Sequence, residues 1–165
     1  MTAYATLEQA DAYFELRLFG QPWANAAPQD REAALRLATQ QIDRLHFRGM
    51  KHAAWLAAQN SCDDSVITAA AATQELQFPR GSDEEVPSDI RIACYEIAFL
   101  LLDGKDADEE FEDSPTVSQG YSSVRRTYNR SYVQEHIVNG IVSPLAWRYL
   151  RPYLRDPLSV RVSRA

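Results

Sequence analysis

The stretch that decides the fold is residues 88–104, SDIRIACYEIAFLLLDG, in the middle of the 165-residue chain. Its main apolar stripe has spacings of 4, 3 and 4 and consists of Ile90, Cys94, Ile97 and Leu101. This period places the four side chains on one face of an α helix. The pattern predicts a central helix from Asp89 to about Leu102, with Ser88 as its N-cap and Gly104 as its stop.

The connector into that helix is residues 76–90, LQFPRGSDEEVPSDI. A residue that precedes proline is pushed towards extended geometry, so Phe78-Pro79 and Val86-Pro87 restrict the path of the chain. Its arginine and carboxylates could suggest an active-site loop. We instead expect a structural corner in which Phe78 is anchored in the core.

Local signals predict further helices on both sides. Thr6 and Gln9 have the spacing of a capping box, and Asp63 begins a second capping sequence. Ser143-Pro144 is typical of a helix start. The predicted helices are 7–18 with stripe Leu7, Ala10, Phe14 and Leu18; 29–46 with stripe Leu35, Ala38, Ile42 and Leu45; a short one at 52–60; one through 66–72; and one from 144 to Pro152.

The predicted fold is therefore mainly α, a small helical bundle formed by one domain, residues 1–165. Its parts are a helical core (5–104), a solvated acidic linker (103–115), a strand-forming extended arm or hairpin (116–142), and a closing helix with an irregular tail (143–165). The strand prediction rests on the Tyr, Val and Ser/Thr content of 121–138.

Charge is unevenly distributed along the chain, whose net charge is −6. Residues 83–113 contain 12 acidic and two basic residues, a balance of −10, whereas residues 121–165 contain eight arginines and two acids, a balance of +6. Opposite charges could bring like chains or a partner together. The alternative is a solvated acidic loop beside a basic surface.

The sequence contains no recognised catalytic or cofactor-binding signature. None of its six glycines belongs to a phosphate-binding loop, and His46, His52 and His136 lack metal-site spacing. Cys62 and Cys94 are expected to be free thiols. The N-terminal residues lack the basic and apolar regions of a secretory leader, so we expect none, and the longest apolar run has six residues, too few to span a membrane. We therefore predict a protein that is not an enzyme, has no cofactor or catalytic, cofactor-binding or metal site, and no membrane partner.

Arginines and tyrosines alternate in the segment 121–132, YSSVRRTYNRSY. Such mixtures bind single-stranded nucleic acid, and they are also enriched at protein interfaces. A pI of about 5.1 favours the interface. The residues predicted to form a subunit or partner interface are Tyr121, Arg125, Arg126, Tyr128, Arg130 and Tyr132, together with the acidic Asp83, Glu84 and Glu85.

Four segments together resemble one protein family: residues 4–14 (YATLEQADAYF), 42–51 (IDRLHFRGMK), 76–80 (LQFPR) with Val86-Pro87, and 150–154 (LRPYL). In this order they are similar to small tailed-phage proteins of the head–tail junction, called head–tail connector, adaptor or head-completion proteins. Some members are labelled putative DnaT-like single-stranded DNA-binding proteins. This chain departs from the family pattern at Phe78, where tryptophan is more usual, and between Lys51 and Leu76, where it is longer.

The resemblance implies a structural protein of the virion, made in the host cytoplasm, that forms a ring of about twelve copies. Its implied partners are further copies of itself, the portal protein and a tail-side connector, stopper or tail protein. Duplex DNA would pass through the lumen without sequence-specific binding, which a net acidic chain permits. The alternative function is a single-stranded DNA-binding replication accessory.

Overall fold

The computed structural model describes residues 2–113 and 133–156. Within these residues 62% are helical and no strand is present, which confirms the predicted mainly α class. A 3-10 turn follows the last helix at Arg151–Tyr153. The α helices of the described residues are α1 Leu7–Glu15, α2 Gln21–Asn25, α3 Pro28–Asp43, α4 His52–Asn60, α5 Asp64–Thr73, α6 Ser88–Leu102, α7 Ala107–Asp113, α8 Glu135–Val138 and α9 Pro144–Leu150.

Helix α6 is the centre of the core, packed between α3 and α9. Eight of its 15 residues are buried, and Ile90, Cys94 and Ile97 of the predicted stripe are fully inaccessible. The predicted stripe of α3 is buried as well, from Leu35 to the turn residue Leu45. Helical spacing of apolar residues therefore located the core correctly.

The start of α6 differs from the prediction. Ser88 is the first helical residue, and Pro87 occupies the N-cap position with φ −55° and ψ 145°. The Pro87 carbonyl oxygen accepts from the backbone amides of Ile90 (3.1 Å) and Arg91 (3.2 Å). The φ of Pro87 is already helical but its ψ is not, so Pro87 is the cap and the helix begins at Ser88.

Helix α1 has the predicted capping box between Thr6 and Gln9, but it ends at Glu15 rather than Leu18. Arg17, not Leu18, turns inward, since its guanidinium lies 4.1 Å from the ring centroid of Phe99. Leu18 is 80% exposed, so its place in the predicted buried stripe was wrong.

Helices α4 and α5 form a hairpin that packs chiefly on itself. The bounds of α4 match the predicted 52–60, and the Asp63 carboxylate caps α5 by accepting from the Ser65 amide at 2.8 Å. Only Ala54 of α4 is buried, and no residue of α5 is. Residues 52–73 are called the hairpin below.

The predicted acidic linker, 103–115, contains a helix that was not predicted, because residues 107–113 form α7, while most of its acidic residues up to Glu112 are exposed. The Asp106 carboxylate accepts from the Asp108 amide at 2.9 Å, and acidic residues fill the first turn, where the helix dipole favours them. Ala107 is buried and α7 contacts α8. A count of charge alone missed the cap and this packing.

The predicted strand-forming arm (116–142) is not supported. Residues 116–132 lie outside the described residues, and 133–142 contain α8 followed by a turn at Asn139–Gly140. Ile137, Ile141 and Val142 are buried in this helical turn, so packing overrides the β-propensity of Val and Ile. The turn itself was predicted, and Gly140 has φ +72°.

The closing helix α9 begins as predicted, because the Ser143 hydroxyl accepts from the Ala146 amide at 3.1 Å. After the 3-10 turn, Leu154 forms an isolated bridge with Phe47. The predicted irregular tail lies almost entirely in 157–165, outside the described residues.

Candidate subunit interface

Four segments that are distant in sequence meet around Phe78, in a cluster we call the junction. Phe78 is 2% exposed, and its ring centroid lies 6.0 Å from that of Tyr4, 4.7 Å from that of Phe47 and 5.7 Å from that of Tyr153. The three contacts are edge-to-face, the geometry that aromatic pairs prefer. The expectation that Phe78 anchors the connector in the core is confirmed.

Hydrogen bonds join three of these four segments beside Phe78. The Tyr4 hydroxyl donates to the Asp43 carboxylate, while the Gln77 amide donates to the Tyr4 oxygen (3.1 Å) and to Asp43 (3.3 Å). Burial raises the pKa of the Tyr4 phenol well above its ordinary value, and the bond to Asp43 adds to this. Burial also raises the pKa of Asp43, against the opposing effect of its two donors.

Arg80 holds the turn that precedes the hairpin. Its guanidinium donates to the carbonyl oxygens of Arg48 (3.0 Å) and Gly49 (2.6 Å), and to the side-chain oxygen of Gln77 (2.8 Å). A guanidinium that donates its hydrogen bonds to backbone carbonyls fixes the position of those backbone segments, and we call this arrangement a structural clamp. Arg80 therefore positions the base of the hairpin.

The acidic residues predicted for an interface lie just beyond this clamp. Asp83, Glu84 and Glu85 are exposed and form no ion pair within 2–113 and 133–156. The remaining predicted interface residues lie outside the described residues: Tyr121, Arg125, Arg126, Tyr128, Arg130 and Tyr132. In the described C-terminal part, the exposed arginines are Arg148, Arg151 and Arg155.

A buried ion pair at the far end of α1 was not predicted. Arg17 lies 2.9 Å from the Glu96 carboxylate, which is 2% exposed and also accepts from the Tyr13 hydroxyl at 2.7 Å. Burial and the contact with Glu96 raise the pKa of Tyr13. The sequence signal was a glutamate among the mostly apolar residues 90–102, because such a residue must find a partner when it is buried.

Two apolar surfaces are exposed and were also missed. The first, the apolar loop, consists of Leu16, Leu18 and Phe19, which are 91%, 80% and 80% exposed. The second is the hairpin, where Leu56 and Val66 are each 46% exposed. Between His52 and Thr73 the only acidic or basic residues besides His52 are Asp63 and Asp64. The sequence signal was the near absence of charge in an alanine-rich segment.

The described residues contain no grouping of three or more His, Cys, Asp or Glu side chains able to hold a metal ion. Two of the clefts among these residues are open surface depressions, one of about 740 Å³ beside Trp147 and Arg151 and one of about 580 Å³ beside the apolar loop. None of the helices in 2–113 and 133–156 is long and apolar enough to cross a membrane.

Comparisons of the chain with protein-family models, with curated proteins and with solved structures found no match.

Proposed function

We propose that this protein is a structural adaptor of the head–tail junction of a tailed phage, with no catalytic role and no cofactor. The observation that carries the proposal is the junction. Each of the four segments that resemble the adaptor family contributes to it: Tyr4 from 4–14, Phe47 from 42–51, Phe78 from 76–80 and Tyr153 from 150–154.

That the four segments meet in one cluster matters, because a resemblance between short, separate segments could arise by chance. Residues that form one packed cluster constrain one another, since interiors are packed tightly and a change at one position is felt at its neighbours. Of the two departures from the family pattern, one replaces the more usual tryptophan by Phe78 at the centre of the junction, and the other lies outside it. The longer stretch between Lys51 and Leu76 forms a separate hairpin on the Arg80-clamped turn and leaves the junction intact.

In this proposal the copies form a ring beneath the portal and bind a tail-side protein, with duplex DNA passing through the lumen. The exposed acidic residues at 83–85 fit DNA that passes without being held, because tight phosphate binding requires many Lys and Arg contacts and these residues supply none. They also present a charge to which the arginines of a neighbour or partner can bind.

The test is co-expression with the cognate portal protein, followed by native mass spectrometry and electron microscopy. We expect a ring of about twelve copies on the portal. Recovery of only free monomers beside an intact portal would contradict the proposal. Charge reversal at Asp83, Glu84 and Glu85 should weaken the assembly more than the matched neutral variant D83N/E84Q/E85Q, and both losses should shrink in high salt.

The alternative, a single-stranded DNA-binding accessory, rests on arginines that lie outside the described residues, and it stays a prediction. It requires salt-sensitive binding of oligonucleotides that Arg125→Ala and Arg126→Ala weaken. Fluorescence anisotropy at low salt and micromolar protein would reject it if no change occurs.

A further inference from the structure

The chain leaves the core at Phe47 and returns to it at Phe78, and the centroids of these two buried rings lie 4.7 Å apart. In the part of the chain that the structure describes, residues 48–77 between them bury only Ala54. The two helices of the hairpin pack chiefly on each other. The hairpin therefore projects from the core, and both of its ends start from one point.

Gln74 closes the base of the hairpin, where its two ends meet. The side-chain oxygen of Gln74 accepts from the Ala53 amide at 3.1 Å, and its side-chain nitrogen donates to the carbonyl oxygens of Leu76 (3.0 Å) and Pro79 (2.9 Å). Only this orientation of the amide pairs donors with acceptors at all three positions. One side chain thus joins the start of α4 to the segment that follows α5.

Further hydrogen bonds of the hairpin lie beside Gln74. The His52 amide donates to the Pro79 carbonyl oxygen at 3.0 Å, and the Lys51 ammonium donates to the Gln74 carbonyl oxygen at 2.7 Å. Within the described residues, the hydrogen bonds of residues 54–73 all stay between positions 51 and 74. The polar attachment of the hairpin to the core is therefore concentrated at its base.

The helices of the hairpin are too short to stay folded alone. Helix α4 has nine residues and α5 has ten. Isolated helices shorter than about 12–15 residues are only marginally stable in water. Their contacts with each other and the bonds at the base must therefore maintain them, and both helices should lose their backbone hydrogen bonds together when the base opens.

We propose that the hairpin opens as one cooperative unit while α3, α6 and α9 remain folded, and that Gln74 keeps it closed. Local opening is easiest where few apolar contacts are buried, and its free energy ranges up to that of global unfolding. The chain therefore combines a stable core with a segment that folds and unfolds separately. Binding loops and moving elements of proteins are drawn from such segments of low stability. This opening is independent of the proposed adaptor function.

Hydrogen exchange of the full chain in low concentrations of urea measures the opening of each helix. In the wild type, the amides of α4 and α5 should share one opening equilibrium constant, at least roughly tenfold larger than that of the α6 amides. Gln74→Ala should raise the opening constant of the hairpin roughly tenfold, because it removes three hydrogen bonds. Gln59→Ala, at an exposed position of α4, is the matched control and should change this constant by no more than about twofold.

A second variant, Ile97→Val, distinguishes opening of the hairpin from opening of the core. It removes one buried methylene from α6 and should raise the opening constant of the α6 amides roughly fivefold. The amides of α4 and α5 should keep their wild-type exchange rates, because Ile97 stays packed when only the hairpin opens.

Two results would overturn the proposal. If the amides of α4 and α5 are as protected as those of α6, or exchange faster in Ile97→Val as those of α6 do, the hairpin and the core open together. If Gln74→Ala accelerates their exchange no more than Gln59→Ala does, Gln74 does not keep the hairpin closed. Neither result bears on the adaptor function, which assembly on the portal tests separately.

Discussion

Helices α6 and α5 are both rich in apolar residues, yet they differ in what surrounds them. Helix α6 buries eight of its 15 residues between α3 and α9, while α5 buries none of its ten. Apolar composition therefore does not by itself locate the core of this protein. The burial of α6 is explained by its contacts with α3 and α9, whereas the other described elements bury no residue of α5.

The largest expected effect comes from making a cavity in α6. Ile97 is fully buried, so Ile97→Ala should lower the free energy of unfolding by about 4 kcal/mol through lost burial and an unfilled cavity. The matched change in the hairpin, Val66→Ala at a 46% exposed site, should cost less than about 0.5 kcal/mol in the monomer. Urea unfolding of both variants checks this, and equal losses would break the contrast between core and hairpin.

A somewhat smaller effect is expected at the base of the apolar loop. Arg17→Met removes the cation that neutralises Glu96 and should cost about 3 kcal/mol, because a buried carboxylate loses its partner. Replacing both residues, as Arg17→Met/Glu96→Leu, should restore most of this loss. A double variant no more stable than the single one would show that the ion pair is not the cause.

A substitution in the junction should lower the free energy of unfolding by less than the two changes above. Tyr4→Phe removes the donor to Asp43 and should cost about 1.5 kcal/mol at pH 7. Burial keeps the pKa of Tyr4 above that of an unfolded tyrosine, so the wild-type stability contributed by this group is complete below pH 10 and falls as the unfolded phenol ionises.

The difference in free energy of unfolding between the wild type and Tyr4→Phe should therefore become smaller above pH 10, by up to about 1.4 kcal/mol per pH unit. The reason is that the variant has no phenol to titrate at this position. Urea unfolding from pH 7 to pH 11 measures it. A gap that stays constant or widens would contradict the protonation of Tyr4 in the folded chain.

The smallest effect on stability is expected from labelling the two cysteines, one in the hairpin and one in α6. Cys62 is exposed in the connection between α4 and α5, and Cys94 is buried in α6, where burial raises its pKa to about 12. At pH 8 a thiol reagent should label Cys62 rapidly and leave Cys94 untouched until unfolding, with little change in stability after the first label. Similar labelling rates would mean that the core opens as readily as the hairpin.

Several elements were predictable because their causes are local. The Thr6–Gln9 capping box, the Asp63 cap and the Ser143-Pro144 start each depend on side chains within a few residues of the helix end. The stripe of α3 needed only helical periodicity. These features were visible before any tertiary contact was known.

The errors have a different cause. The end of α1, the helical form of α7 and the helix at 135–138 each depend on a partner far along the chain or on packing against another helix. Composition predicted a longer helix at the first place, a linker without a helix at the second and a strand at the third, because it contains no information on these contacts. The candidate surfaces were missed for the same reason.

By itself, then, the sequence determined the helical class, most helix starts and the identity of the core stripes, since periodicity and capping are properties of neighbouring residues. Only the tertiary structure decided that Arg17 rather than Leu18 turns inward and that Phe78 joins four distant segments. It also decided that the other described elements leave most of the hairpin exposed. The physical reason is that burial depends on which elements meet, and that is settled by the packing of the whole chain.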